Sequence, residues 1–231
     1  MIETAELTGR TEHHVAEIFP GHYLHREVHK PYFRLLEQAA AQGIDLRMSS
    51  GYRSFERQLA IWNAKVRGER PVNDGCGRAI DLAALDELEK AFAILRWSAL
   101  PGASRHHWGT DIDVWDAAAV PSGYELQLIP GEYAPEGVFH RLGAWLDAHL
   151  VRPKSDFFRP YLSDRGGVAI EPWHLSYAPL ADRYQAELNI DALRAELTGA
   201  DILLKDVLLA HLDEIVRRFV RLDINMCGDK T

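Results

Sequence analysis

Two histidines and three aspartates lie close together in the short segment SRHHWGTDIDVWD, residues 104–116. On an extended strand Asp111 and Asp113 would share one face, because alternate side chains point to opposite sides. His106 is an odd number of positions from Asp113, so one continuous strand would separate them. Gly109 lies between the two, and glycine permits the bulge or turn that would bring both to one side. The segment is a candidate metal site, although a solvated polar loop has the same composition.

A second polar pair, Glu171 and His174, is set into the otherwise apolar segment AIEPWHLSYAP. Burying a charge is costly unless the charge is paired or metal-bound, so this pair needs a partner. Zinc prefers tetrahedral nitrogen and oxygen ligands, and catalytic sites take three from the protein and leave the fourth position for water. His106, Asp113 and His174 make such a set, and we predict that they bind one zinc ion per chain.

A metal-dependent hydrolase also needs a general base that lies near the metal without being its ligand. Glu171, three residues before His174, is the candidate for activating a zinc-bound water. The helical zinc-protease motif HExxH is absent, and Pro172 disfavours a helix interior at this point. The sequence therefore predicts hydrolytic zinc chemistry at a site that is not built on one helix.

Three segments, SSGYRS, SRHHWGTDIDV and EPWH, occur in this order along the chain. Together they resemble the motifs of the M15 metallopeptidases, in particular the VanY-like D-alanyl-D-alanine carboxypeptidases. That family shares a zinc fold with VanX dipeptidases, lysostaphin-type peptidases and the hedgehog signalling domain. The resemblance spans roughly residues 45–180, and the first 25 residues and the C-terminal helices lie outside it. We expect a peptidase domain over residues 1–180 and a helical C-terminal extension over residues 181–231.

The resemblance implies the same zinc ligands and the same general base as the residues themselves suggest. It also implies that Arg53 reaches the substrate. A guanidinium fork could hold the terminal carboxylate of a peptide or stabilise the oxyanion of the tetrahedral intermediate, and the sequence leaves both roles open.

Other polar residues of the motifs are candidates for lining the substrate pocket. Ser104, Tyr52 and Gln58 fall in this group, and each is equally suited to a structural role as a cap, a packing ring or a surface polar group. Asp111 stands where many members of the family carry a small residue such as alanine, so it is an alternative ligand. The seven-residue spacing from His106 favours Asp113, which leaves Asp111 a supporting or structural role.

The remaining histidines carry no partner pattern that would make them ligands. We expect His107 to be exposed or to support the site, and we expect surface positions for the others, including His13, His14, His22 and His25.

The pattern of apolar residues predicts an α+β fold, with a small antiparallel sheet that carries the zinc site and helices that flank it. Strands are expected near residues 44–50, 104–115 and 166–179. A helix before Gly43 should bury Phe33, Leu36 and Ala40, and a second helix should begin at the N-cap Ser54. Beyond residue 179, an apolar stripe predicts one or two helices that pack on the core or form a homodimer seam.

The composition is that of an ordinary globular chain of 231 residues, with 47% hydrophobic and 26% charged residues. The net charge of -8 is scattered, which argues against nucleic acid as a partner. No transmembrane run and no signal-peptide pattern occurs, so the chain as written is expected to be soluble and unexported, while its cellular location stays open. Two cysteines, Cys76 and Cys227, indicate no disulfide framework.

The resemblance implies hydrolysis of the peptide bond to a C-terminal D-amino acid, D-alanine, in a peptidoglycan-derived peptide. Two alternatives within the enzyme class are a D-Ala-D-Ala dipeptidase and an endolysin-like peptidoglycan peptidase, and the loops at residues 117–138 would decide how closed the pocket is. A zinc-bearing binding module without turnover is the alternative from another class. A complete ligand set beside Glu171 favours the enzyme.

Overall fold

The computed structural model describes residues 2–74, 77–151 and 155–222, which include every candidate site residue. Cys76 and Cys227 lie outside the described residues. The fold is α+β, as the sequence predicted, with two small antiparallel sheets and ten α-helices among the described residues. None of the described helices combines the length and the apolar character that crossing a bilayer requires.

A four-stranded antiparallel sheet forms the centre of the molecule. Its strands, in the spatial order β3-β4-β6-β5, are β3 (Leu46–Ser50), β4 (Asp111–Asp116), β5 (Phe157–Phe158) and β6 (His174–Tyr177). Along β4, Ile112 and Val114 are fully buried in an apolar cluster, whereas Asp111 and Asp113 point to the opposite face. Because β4 pairs with β6 so that Asp113 lies opposite His174, the polar face of the sheet brings these two residues together.

A separate two-stranded hairpin lies against the turn that precedes β4. It consists of β1 (Val15–Phe19) and β2 (His22–His25). The backbone N–H of His25 donates to the carbonyl of Gly109 over 2.9 Å. This contact needs glycine, since a Cβ at position 109 would come within 2.6 Å of the His25 nitrogen.

Helices cover the central sheet and the hairpin. In chain order they are α1 (Thr4–Leu7), α2 (His29–Ala40), α3 (Phe55–Val66), α4 (Glu87–Leu95), α5 (Pro130–Tyr133) and α6 (His140–His149). Ser54 is the N-cap of α3, as predicted, and its hydroxyl accepts from the backbone N–H of Arg57 at 3.2 Å.

The buried face of α2 differs from the prediction by one position. The buried residues are Pro31, Tyr32, Leu35 and Ala39, whereas Phe33 is 44% exposed. Both sets have helical spacing, so spacing alone could not separate them. The ring of Phe33 instead packs edge-on against Phe19 of the hairpin at 5.9 Å.

The C-terminal part of the described chain contains more helices than the one or two predicted. These are α7 (Ala178–Glu187), α8 (Ile190–Gly199), α9 (Lys205–Ala210) and α10 (Leu212–Ile215), and a π-helical turn follows at Val216–Val220. The breaks coincide with Asn189, an N-cap that accepts from the backbone, and with Leu204, whose φ is +63°. Leu208 and Leu212 are fully buried in one cluster with Trp62 of α3.

Candidate metal centre

The segment 104–116 is not one interrupted strand, as the sequence suggested. Residues Arg105–Trp108 form a 3₁₀ helix, which ends at Gly109 with a left-handed φ of +66°, and β4 begins only at Asp111. The turn at Gly109 brings His106 and Asp113 to the same side, whereas a continuous strand would place them on opposite faces. As a result, Nε2 of His106 lies 3.4 Å from Oδ2 of Asp113.

The three predicted zinc ligands converge. One donor atom from each of His106, Asp113 and His174 lies within 4.8 Å of the other two, and all three side chains are buried. Nδ1 of His174 is 3.4 Å from Oδ1 of Asp113, and this oxygen has no hydrogen bond among the described residues. A buried carboxylate oxygen without a donor is costly, so the site favours a cation between these side chains.

In both His106 and His174, the ring nitrogen that points away from Asp113 donates a hydrogen bond to an acceptor. Nδ1 of His106 donates to the carbonyl oxygen of Gly51 at 2.8 Å, and Nε2 of His174 donates to Oδ1 of Asp111 at 2.9 Å. These contacts aim Nε2 of His106 and Nδ1 of His174 at Asp113, which is how metal-binding histidines are commonly oriented.

Asp111 belongs to a buried polar network on the far side of His174 from Asp113. Its carboxylate accepts from Arg105 at 2.9 Å, from Thr110 at 2.6 Å and from Ser176 at 3.0 Å. Burial alone would raise the pKa of Asp111, but the charge of Arg105 and the hydrogen bond from His174 hold it well below its ordinary value. Asp111 is therefore an anion that can orient His174.

The candidate ligands have strongly altered acidities when no metal is bound. Burial, followed by the charge of Arg53, keeps the pKa of His106 well below its ordinary value. Burial raises the pKa of Asp113 to about 6. For His174, burial opposes protonation, yet the hydrogen bonds to Asp111 and Glu171 raise its pKa to about 10. A proton on His174 then occupies the place where a cation would bind, so metal and proton compete there.

Glu171 lies beside this group. Its Oε2 is 3.2 Å from Nδ1 of His174, and its side chain is 13% exposed. Its backbone N–H donates to the carbonyl of Tyr161 at 2.9 Å, and its carbonyl accepts from the N–H of His174, which closes a turn before β6. The carboxylate lines a cavity of about 650 Å³ together with His106, Asp113 and His174.

Arg53 lines the same cavity and has a fixed orientation. Its Nη1 donates to Oε1 of Gln58 at 2.8 Å, and its Nη2 donates to Oγ of Ser50 at 3.0 Å. Gln58 is fully buried, and its amide also donates to the carbonyl of Ala99. Gln58 therefore holds the guanidinium and is not among the residues that line the cavity.

Two other candidate pocket residues occupy different places. Ser104 is fully buried in the cavity wall, and its hydroxyl has no hydrogen bond among the described residues. Tyr52 does not line the cavity; its hydroxyl donates to the carbonyl of Thr11 at 3.1 Å. The structure thus brings Ser104, but not Tyr52, to the site.

His107 and His14 are both buried. The sequence predicts a surface position for His14, and for His107 either an exposed position or one that supports the site. Nδ1 of His107 donates to the carbonyl of Arg53 at 2.6 Å, and its Nε2 accepts from the N–H of Gly102 at 3.0 Å. The ring of His14 in turn contacts the carbonyl of His107 at 3.0 Å. These contacts between distant segments explain their burial and have no signal in local spacing.

The cavity also includes residues that sequence reasoning did not select. The ring of Tyr161 stands edge-on to His174 at 5.0 Å, and Trp173 and Lys65 complete other parts of the wall. Trp173 lies inside the EPWH motif, where it could have been noticed, while Lys65 lies in an ordinary amphipathic helix. From the loops at residues 117–138, residues 127–131 line the cavity.

Residues 21–180 match the family model VanY, which is described as D-alanyl-D-alanine carboxypeptidase. An uncharacterised protein of Haemophilus influenzae is 37% identical over 123 residues, which are 52% of this chain and 92% of the relative. A D-alanyl-D-alanine carboxypeptidase of Enterococcus faecalis is 29% identical over 151 residues, which are 64% of this chain. The chain spans only 46% of the length of that relative.

Among solved structures, a mutant of the vancomycin-resistance D,D-pentapeptidase VanY in complex with Zn(II) aligns with a TM-score of 0.51 and 23% identity. The alignment covers 84% of this chain and 88% of the other. VanYB in complex with D-alanine-D-alanine gives the same TM-score and identity, over 80% of this chain and 89% of the other. At this level of identity the two structures show a shared fold.

Proposed function

The chain belongs to the VanY family of D-alanyl-D-alanine carboxypeptidases, and from this premise we propose that it is a zinc-dependent carboxypeptidase acting on peptidoglycan-type peptides. Membership of this family makes the chain a metallopeptidase. The proposed reaction is hydrolysis of the peptide bond to a C-terminal D-amino acid, D-alanine. The observation that carries the proposal is the convergence of His106, Asp113 and His174 beside Glu171 in the wall of one cavity.

The donor set suits zinc. Two imidazole nitrogens and one carboxylate oxygen are common ligands of catalytic zinc, and the buried Oδ1 of Asp113 has no other partner among the described residues. The relative solved with Zn(II) supports the same choice of metal. When bound, zinc supplies Lewis acidity and lowers the pKa of water to about 7.

Glu171 is proposed to move the proton. Its carboxylate lies beside the ligand group and opens to the cavity, so it can accept a proton from the attacking water and return it to the leaving amine. Arg53 is proposed to donate to the substrate. Because Gln58 and Ser50 fix its guanidinium, its remaining N–H groups are aimed before the substrate arrives, which is what stabilisation of a developing negative charge requires.

The size of the cavity favours a carboxypeptidase over a dipeptidase. At about 650 Å³ it is in the range of pockets that hold drug-sized ligands, and is thus large enough for several residues of a peptide. A dipeptidase needs a pocket closed around two small residues. The peptide is therefore proposed to extend through the cavity on the amino side of the scissile bond.

Metal analysis followed by incubation with a peptide panel tests the proposal. The panel consists of peptides that end in D-Ala-D-Ala, in L-Lys-D-Ala and in all-L sequences, with products identified by mass spectrometry. We expect one zinc per chain and metal-dependent release of D-alanine. Release of the dipeptide D-Ala-D-Ala would instead indicate a dipeptidase, cleavage inside longer peptides an endopeptidase, and zinc binding without any cleavage a binding module.

A further inference from the structure

A lysine lies in the cavity wall without a partner. Lys65, the second-last residue of α3, lines the cavity together with Arg53 and Glu171. Its ammonium makes no hydrogen bond or ion pair with any residue that the structure describes. Burial lowers the pKa of Lys65 to about 8, although the charge of Glu171 acts in the opposite direction.

The surrounding wall balances the charge of this ammonium only in part, because Glu171 acts on it without forming an ion pair. Arg70 lines the same cavity, and its charge opposes protonation of Lys65. Asp74 also lines the cavity, but its carboxylate is held by Arg78 at 2.8 Å. A half-buried cation that forms no ion pair is costly, and an anionic group of a ligand would relieve that cost.

Hydrolysis of the last peptide bond of a chain requires the site to hold two negative groups. One is the oxyanion that develops at the scissile carbonyl, and the other is the terminal carboxylate, which lies one residue further along the peptide. One extended residue spans only about 3.3–3.6 Å, so both groups fit in one cavity but need separate donors. Gln58 and Ser50 hold the Arg53 guanidinium in one orientation, so a second donor would allow the site to bind both groups at once.

Arg53 and Lys65 differ in rigidity, and this difference suits one to the oxyanion and the other to the terminal carboxylate. Arg53 is held by Gln58 and Ser50, and such a rigid fork suits the oxyanion. Lys65 has a flexible stem and three donors, which suits a carboxylate that is already charged when the substrate binds.

We propose that Lys65 binds the C-terminal carboxylate of the substrate and leaves Arg53 to the carbonyl oxygen of the scissile bond. The assignment rests on the proposed function, because it names the group that makes this site select chain ends. It gives the protein a requirement for a free terminal carboxylate, which separates removal of a last residue from cleavage inside a peptide strand.

Binding of two matched peptides to the zinc-loaded protein tests the assignment by calorimetry. One peptide is L-Lys-D-Ala-D-Ala with a free carboxylate, in which a ketomethylene group replaces the scissile amide so that the protein cannot hydrolyse it, and the other is the C-terminal amide of the same analogue. The wild-type protein should bind the free acid at least about tenfold more tightly, as expected for a hydrogen bond to a charged group. Lys65→Met, of similar length but uncharged, should reduce the preference to about twofold or less, while Lys65→Arg should retain most of it.

Two controls make the outcome specific. Lys30→Met removes an exposed lysine of α2 that does not line the cavity, and it should leave the preference unchanged. A third peptide with an amide terminus and a glutamate side chain reveals whether Lys65 instead binds a carboxylate elsewhere in the substrate. Loss of affinity for that peptide in Lys65→Met, with the preference for a free terminus retained, would overturn the assignment.

The proposed function and the Lys65 assignment fail in different ways. Wild-type protein that binds neither peptide form would refute the proposed substrate class, and the assignment would fall with it. Wild-type protein that prefers the free acid, with the same preference in Lys65→Met, would leave the function standing and refute only the role of Lys65.

Discussion

Glu171 has two possible roles at the scale of single residues, because its carboxylate both contacts His174 and opens to the cavity. If it is the general base, Glu171→Gln should lower turnover by about 10² to 10⁴ while zinc content and melting temperature stay near wild type. If it only orients His174, the same change should weaken zinc binding, with a proportionate loss of activity. Zinc stoichiometry, melting temperature and turnover on one preparation distinguish the two, and near-normal turnover with the metal intact would refute the mechanism.

Asp111 and Asp113 offer a matched pair of substitutions. Asp113→Ala removes a proposed ligand and should abolish stoichiometric zinc binding. Asp111→Asn keeps an acceptor oxygen but removes the charge that holds Nε2 of His174, so zinc should still bind, with affinity lowered by about 10- to 100-fold. Competition with a chelator measures both affinities. Full zinc content in Asp113→Ala, with loss of zinc in Asp111→Asn, would show that the choice between the two aspartates is wrong.

The acidity of Lys65 predicts how peptide binding depends on pH. Its pKa is lowered to about 8, so the ammonium is lost as the pH rises through this value. Glu171, Arg53 and Arg70 are the charged groups that act on it. Affinity for a peptide with a free terminal carboxylate should therefore fall between pH 7 and 9, and affinity for the matched amide should not follow it. In Lys65→Arg the decline should vanish, because arginine stays charged; a decline that persists there would have another origin.

The sequence identifies the candidate metal ligands and the general base but not Lys65, because only the former lie in recognisable motifs. His106, Asp113, Glu171 and His174 occur in compact motifs, and the structure brings all four together. Lys65 lies in an amphipathic helix whose spacing carries no chemical signal, and only the packing of α3 along the cavity reveals it.

At the scale of elements, the turn at Gly109 connects the hairpin to the metal centre. Alanine there would combine a strained φ of +66° with contacts of 2.6 Å to the His25 nitrogen and 2.7 Å to the Val15 side chain. Gly109→Ala should therefore cost more than the roughly 1–2 kcal/mol of left-handed strain alone, and it should weaken zinc binding by moving His106.

The matched control for this substitution is Gly21→Ala in the hairpin turn. Gly21 has a φ of +76° but nothing within 4 Å of an added Cβ, so only the strain should appear. Chemical denaturation and zinc titration of both variants separate the cost of the left-handed backbone from the cost of the steric clash with the hairpin. Equal losses of stability, with zinc affinity unchanged in both, would show that the hairpin does not position the metal centre.

The turn at Gly109 also explains why the sequence predicts a strand near residues 104–115, where the structure has a 3₁₀ helix followed by β4. The alternation in DIDV correctly predicts a strand, but RHHW offers no spacing that separates a 3₁₀ turn from a strand. The tertiary contact between Gly109 and His25 fixes the boundary, and a local pattern does not contain it.

For the whole molecule, the C-terminal helices and the cavity share one apolar cluster. Leu208, Leu212 and Phe219 are buried in it with Trp62 and Leu95, and Phe219 and Leu95 also line the cavity. The sequence stripe predicted helices with an apolar face, but it could not show whether that face meets the core or a second chain. The structure shows the contact with the core, and a homodimer through these helices stays a prediction.

Leu212→Ala tests what this stripe contributes. Leu212 is fully buried within the chain, so its truncation should destabilise by about 2–5 kcal/mol through lost burial and a residual cavity. For a chain of this length each kcal/mol lowers the melting temperature by about 2–4 °C. The exposed neighbour Arg217 provides the control, since Arg217→Ala should change stability by less than about 0.5 kcal/mol.

If the stripe packs only within one chain, the melting temperature of Leu212→Ala should be the same at low and high protein concentration. A loss of stability that shrinks as the protein is concentrated, with dimers detected by analytical ultracentrifugation, would instead place part of the stripe at an interface between two chains.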